Sequence, residues 1–266
     1  MIDNNYPKFI HADDFGMNHS VSKTILDCIQ NGSVNSVSVM MVKDRKYFNE
    51  LRQSGIKIKL HLNLTSFPTY YFKESEKLPK DLDFFKLLFL NNKHKENVLK
   101  EIQAQIDDFL DFFQFNEIAI DGHHHIQTIP WIYNHFRELT DKNITEVRVS
   151  REKIFIDNIK YLINPRFYRN LTATLLLKFI SQGLNNEYKF TPEFYGLLYS
   201  GIHDESTVEK VINKNINKSI ELTLHPGLIS EDDKTNMHWR DFDYYFTKYR
   251  KEDYKIAKSE LLKDLT

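Results

Sequence analysis

The sequence predicts an α/β protein, a TIM-barrel-like (β/α) barrel that is either closed or incomplete with as few as seven strands. Three observations predict it. Seven short β-rich runs recur along the chain, segments of helical periodicity lie between several of them, and 266 residues is the size of such a barrel. The same spacing is compatible with an open doubly wound parallel sheet.

The strand runs are KFIHA (8–12), VNSVSVM (34–40), IKIKLHL (56–62), EIAIDGH (117–123), TEVRVS (145–150), FYGLLYS (194–200) and IELTLH (220–225). A helix is expected after Asn18, with Val21, Ile25, Cys28 and Ile29 as its apolar series and Gly32 in the left-handed position past its end. Another covers 95–115, where Val98, Ile102, Ile106, Phe109 and Phe113 form one apolar stripe and Glu101, Gln105 and Asp108 face water. No repeat, linker or composition shift marks a boundary, so residues 1–266 read as one domain. The least regular stretch, 67–94, is expected to form a rim or lid insertion, and its FPTYYF (67–72) reads as a stacking platform for a flat ligand, a surface aromatic cluster or a dimer contact.

Composition narrows the classes. At 41% hydrophobic and 14% aromatic, the chain is too apolar for disorder. Its 36 Lys and Arg against 37 Asp and Glu, net −1, give no footprint for nucleic acid. Nothing in the sequence has the length and apolarity of a membrane span or the pattern of a secretion signal, and the single Cys28 cannot form an intramolecular disulfide. The expectation is a cytoplasmic protein with no membrane or nucleic-acid partner. A homodimer is an open alternative.

Chemistry gathers at strand ends, where parallel α/β folds place their sites. Asp13 and Asp14 follow the first run, His61 and Asn63 the third, Asp121 and three consecutive histidines the fourth, Arg148 the fifth and His225 the last. Side-chain alternation puts Ala119, Asp121, His123 and His125 on one face and points His124 away. It likewise separates Glu221, Thr223 and His225 from Ile220, Leu222 and Leu224, leaving a polar face for the barrel interior. Taken singly, paired Asp before Gly are turn residues, a lone His is a surface group and HPG is a turn. Their coincidence at several strand ends favours one shared site, in which the run of three histidines would serve a metal or catalysis.

ADDFGMN, GSVNSVSVMM, HLNLT, DGHHH, VRVSRE, GLLYSG and LTLHPG, in this order from Phe9 to about Gly227, resemble the YdjC-type carbohydrate deacetylases, the family that includes chitooligosaccharide deacetylases. The resemblance implies a TIM-barrel-like fold and metal-dependent removal of an N-acetyl group from an acetylated amino sugar or short chitooligosaccharide. On the matching motifs it implies that the Asp13–Asp14 pair supplies a base and a metal ligand, His61 and His123 supply further ligands, and His225 is the acid. Asp14 is taken as the ligand and Asp13 as the base, with the exchange of the two left open. Arg148 would orient Asp13 or hold substrate, and His125 would contact substrate or replace His123 as third ligand. Asn63 is grouped with the substrate-binding or supporting residues. Two imidazoles favour zinc, whereas the family resemblance points to magnesium.

The chain departs from the family pattern in three places. Gln127 stands where a further His is common, Ser150 where a Pro follows the fifth strand, and SFPTY where a Gly soon follows HLNLT. Competing readings are a one- or two-metal phosphoesterase on a similar barrel and a non-catalytic carbohydrate-binding protein.

Overall fold

The computed structural model describes residues 6–66, 82–156, 158–184, 188, 192–228 and 248–263. A strand forms in each of the seven expected runs, β1 (Lys8–Phe15), β2 (Ser36–Val39), β3 (Lys57–Leu62), β4 (Ile118–Gly122), β5 (Ile144–Val147), β6 (Glu193–Tyr195) and β7 (Ile220–Leu224), but the sixth is cut short: Gly196, at φ 137°, turns the chain away and 196–200 are bends and turns. Every pairing is parallel, in the order β5-β4-β3-β2-β1-β7-β6. That is the cyclic order of a singly wound barrel opened between β5 and β6. A doubly wound sheet would reverse its winding about the middle of the sheet.

The curl is visible in side-chain contacts that skip intervening strands. Lys59 on β3 binds both Glu146 on β5 and Glu221 on β7. Among the described residues β5 and β6 share no ladder, so the fold is a half-barrel of seven strands, the incomplete form of the expected barrel.

Helices cover the outside: α1 (His19–Asn31), α2 (Phe48–Gln53), α3 (Phe84–Leu88), α4 (Asn92–Phe113), α5 (Pro130–Glu138), α6 (Pro165–Ile180), α7 (Glu205–Lys214), α8 (Lys248–Ala257) and α9 (Glu260–Lys263). The apolar strand face (Ile10, Val37, Leu60, Ile120 and Leu222 among others) packs on Val21, Ile25, Ile102, Ile106, Ile132 and Val211 of the helices. Asn18 caps α1 by accepting from Val21 N at 2.8 Å, satisfying one of the first-turn donors. Burial pushes the Cys28 thiol up to about 12, so it behaves as the small apolar residue its position predicted.

Two helix expectations are corrected. Gly32 has φ −134°, outside the left-handed region. It is required by space instead, because a Cβ there would lie 2.6 Å from the carbonyl oxygens of Cys28 and Ala257. On α4, Glu101 and Gln105 do not face water: both are buried. Gln105 accepts from Asn63 N at 3.1 Å and donates to Asn63 O at 2.8 Å and to Glu101 at 2.8 Å, clamping the loop after β3. Of the rim stretch, residues 67–81, including FPTYYF, lie outside the described residues, while 84–88 and 92–94 belong to α3 and α4.

The inward face is charged rather than apolar. His11, Asp13, Ser36, Ser38, Lys59, His61, Asp121, Glu146 and Glu221 are all buried there. Burial by itself would lower the Lys59 pKa, but Glu221 and Glu146 raise it above the usual value. Removing one member of such a set leaves an uncompensated buried charge. Lys59→Met should therefore cost about 3–5 kcal/mol, read as a lower denaturant midpoint in equilibrium unfolding. A midpoint equal to wild type would contradict the role given to Lys59.

Candidate active site

Two adjacent strand residues normally point to opposite faces, yet Asp13 and Asp14 both line the same cavity. A register shift in the β1–β2 ladder between Ala12 and Phe15 removes the conflict. Asp14 lies in the left-handed region at φ 75°, an uncommon conformation for a non-glycine residue, and Gly16 follows at φ 92°. A Cβ on Gly16 would meet Met40 O at 2.6 Å. The DDFG stretch is thus a bulge that turns both carboxylates the same way.

The triple histidine also departs from alternation, and here the expectation is corrected. β4 ends at Gly122, and His124 and His125 sit in a short 3-10 segment with φ 54° and 59°. His123 is buried, His124 exposed and His125 half-buried, yet all three line the cavity. His124 therefore does not point away; its Nδ1 is 2.9 Å from Thr65 Oγ1.

Asp14, His61 and His123 each offer one ligand atom, all within 4.8 Å of one another. Asp14 Oδ1 lies 3.4 Å from His61 Nε2 and 3.1 Å from His123 Nδ1. Asp121 Oδ1 sits 2.6 Å from His61 Nδ1, which turns Nε2 toward Asp14 in the carboxylate–histidine arrangement that supports metal ligands. His123 Nε2 is buried without a hydrogen bond among the described residues. Burial opposes a charged His61, but Asp13 and Asp121 outweigh it and push its pKa up to about 10. Two imidazoles and a carboxylate converging beside the orphaned His123 Nε2 make a donor set that fits a divalent ion.

Asp13 is held apart from that trio. Arg148 Nη1 and Nη2 donate to its two oxygens at 2.9 and 3.0 Å, and Ser38 donates to Oδ1 at 3.0 Å. Burial would raise the Asp13 carboxyl, but Arg148, His61 and His11 hold it well below the carboxylate range. His225 Nε2 stands 3.7 Å from Asp13 Oδ2. Burial lowers the His225 pKa against the pull of Asp14 and Asp13.

The structure therefore brings Asp13, Asp14, His61, His123, His125 and His225 to one cavity of about 370 Å³, with Arg148 immediately behind Asp13. Asn63 is not among the lining residues: its Oδ1 accepts from Thr65 N and Ser66 N at 3.2 and 3.0 Å, shaping the turn after β3.

Sequence reasoning missed three supporting groups. Arg250 of α8, fully buried, binds Asp14 Oδ2 and outweighs the burial that would raise that carboxyl. Asp253, one turn on, accepts from His225 N at 2.8 Å and pairs with His203 Nε2 at 2.9 Å. Glu152 accepts from Leu197 N and Leu198 N at 2.7 and 2.8 Å, fixing the loop after β6 whose Gly196 and Leu197 line the cavity. The i, i+3 pairing of Arg250 with Asp253 was the available signal, but in KYRKEDYKIA it is indistinguishable from a solvated face.

Burial pushes the Glu152 carboxyl from 4.5 up to about 7 despite its backbone hydrogen bonds. The folded protein then binds a proton more tightly than the unfolded chain, so this group's stabilisation is present below about pH 4.5 and is lost as pH rises through about 7. The stability of wild type minus Glu152→Gln should fall by roughly 3 kcal/mol across that window, measured by unfolding at a series of pH values. A constant difference would contradict the assignment.

The chain is 25% identical over 263 residues to a carbohydrate deacetylase of Oceanobacillus iheyensis, covering 92% of this chain and 93% of that protein. It is 24% identical over 231 residues to a chitooligosaccharide deacetylase of Yersinia pestis bv. Antiqua, covering 84% and 82%. A carbohydrate deacetylase of Danio rerio matches at 27% over 154 residues, 54% of this chain and 49% of that protein. Among solved structures, an Enterococcus faecalis protein provisionally described as a cellobiose-phosphate cleavage protein superposes with a TM-score of 0.64 at 19% identity, over 98% of this chain and 93% of that one, a likeness of fold. With the YdjC-like protein model matching residues 9–266, the chain belongs to the YdjC-like family.

Proposed function

We propose that this enzyme, a carbohydrate deacetylase by family, removes an N-acetyl group from an acetylated amino sugar or short chitooligosaccharide, using one divalent cation held by Asp14, His61 and His123. The observation that carries the reading is the convergence of that ligand trio with Asp13 and His225 in a single cavity. A divalent ion bound there supplies Lewis acidity toward the acyl oxygen and toward water. Two imidazoles with one carboxylate favour zinc over magnesium, which prefers a shell of oxygens.

The remaining work falls to the protein's own groups. Asp13, kept ionised by Arg148, accepts the proton of the attacking water. His225, 3.7 Å from Asp13, takes that proton on and delivers it to the departing amine nitrogen. Arg148 binds both Asp13 oxygens, so it fixes the carboxylate's orientation. Arg250 holds the second oxygen of Asp14 and leaves Oδ1 facing the two imidazoles.

These roles separate experimentally. Asp13→Asn should abolish acetate release, a drop of at least about 10³-fold in kcat, with metal content near wild type. His61→Ala should lose both activity and ion, because a missing ligand costs the metal itself. His225→Ala should lower kcat by about 10²-fold or more with the metal retained. If Asp13→Asn loses the ion and Asp14→Asn keeps it, the two Asp roles are exchanged. Stoichiometric magnesium with full activity, in protein free of transition metals, would contradict the preference for zinc.

A further inference from the structure

Gln127 and Ser150, two positions where this chain departs from the family pattern, are in contact with each other and, through Ser150, with His125. Both are fully buried. Gln127 Nε2 donates to Arg148 O at 3.1 Å and to Ser150 Oγ at 3.3 Å, and Ser150 Oγ lies 2.9 Å from His125 Nδ1. His125 lines the cavity, with its ring edge-on to Phe194 at 5.7 Å.

The direction of this relay can be worked out from donor counting. The carbonyl of Arg148 can only accept, so the amide of Gln127 must present its NH2 end there, which sends the second N–H to Ser150. The serine hydroxyl has one proton, and His125 Nδ1 is its remaining partner among the described residues. The reverse arrangement, with Nδ1–H donating to Oγ, would bury a hydroxyl proton with no acceptor. With Nδ1 accepting, a neutral His125 carries its proton on Nε2.

We propose that Gln127 and Ser150 lock His125 as the Nε2–H tautomer, making it a fixed hydrogen-bond donor to an oxygen of the bound sugar. The proposal rests on the deacetylase reading for the identity of the ligand, but the tautomer does not. The backbone supports a placed ring: His124 and His125 hold successive left-handed conformations, which costs free energy and sets where the imidazole enters the cavity. His125 acts here as a substrate-binding residue, and Ser150 and Gln127 as positioning residues that act through it.

Nitrogen-15 histidine spectra of the full chain test the relay directly. Wild type should show His125 protonated at Nε2. Gln127→Glu, nearly isosteric and protonated so as to keep its bond to Arg148 O, has no second proton for Ser150 and accepts from it instead, so the hydroxyl turns around and His125 should switch to Nδ1–H. Ser150→Ala should leave a mixture of tautomers. An Nδ1–H wild type, or no change in both variants, would overturn the lock. Steady-state deacetylation of N,N′-diacetylchitobiose then tests the donor role. Ser150→Ala should raise KM by up to about tenfold while kcat moves less than about twofold, the pattern of a contact made equally in ground and transition states. A kcat loss with unchanged KM, or no effect on either, would overturn substrate binding by His125. If wild type releases no acetate from any acetylated sugar, the deacetylase reading fails and the donor role falls with it, while the spectra still decide the lock.

Discussion

One guanidinium ties the half-barrel to its chemistry. Arg148, at the end of β5, reaches Asp13 of β1, Asp121 of β4 and Glu221 of β7. Each of those carboxylates serves a second purpose. Asp13 faces the cavity, Asp121 orients His61, and Glu221 pairs with Lys59, which continues to Glu146. A buried charge set of this kind is expensive to assemble and costly to break. Its geometry cannot drift, because every member is shared between strands. The open seam between β5 and β6 is tolerable for the same reason, since ion pairs across the interior hold the curl where backbone ladders do not.

The site is built on a local violation and then stabilised from outside the sheet. Asp14 is held at φ 75°, a cost that the surroundings must offset. Arg250 and Asp253 do so from α8, one binding Asp14 and the other accepting from the backbone of His225. A helix more than two hundred residues downstream of the Asp pair thus supports both edges of the cavity. Among the described residues no helix is long and apolar enough to cross a membrane.

The strand content was legible because most runs combine β-branched residues with period-two alternation, and the outward Ile and Leu of β4 and β7 are buried where the pattern put them. The clustering of Asp14, His61 and His123 was legible because each lies at or beside the end of a strand. Alternation failed at His124, since it assumes the strand continues and β4 stops at Gly122. Helical periodicity failed for Glu101 and Gln105 because a polar residue beside an apolar stripe reads as solvent-facing until the loop it clamps is known. Arg250 was invisible for a related reason: charge in a polar helix carries no sign of a buried partner. The inner charge network was only half visible, as a polar face whose pairings depend on curvature that sequence does not encode.

The central claim is that Asp14, His61 and His123 hold one cation while Asp13 stays outside its shell. A second cluster, His11, Asp13 and Asp121, also brings three ligand atoms within 4.8 Å, but Arg148 already binds both of its carboxylates. Anomalous diffraction from crystals grown with zinc or cobalt distinguishes the two. A single strong peak is expected at bonding distance from Asp14, His61 and His123. A peak among His11, Asp13 and Asp121, or no peak in this cavity at saturating metal, would contradict the claim.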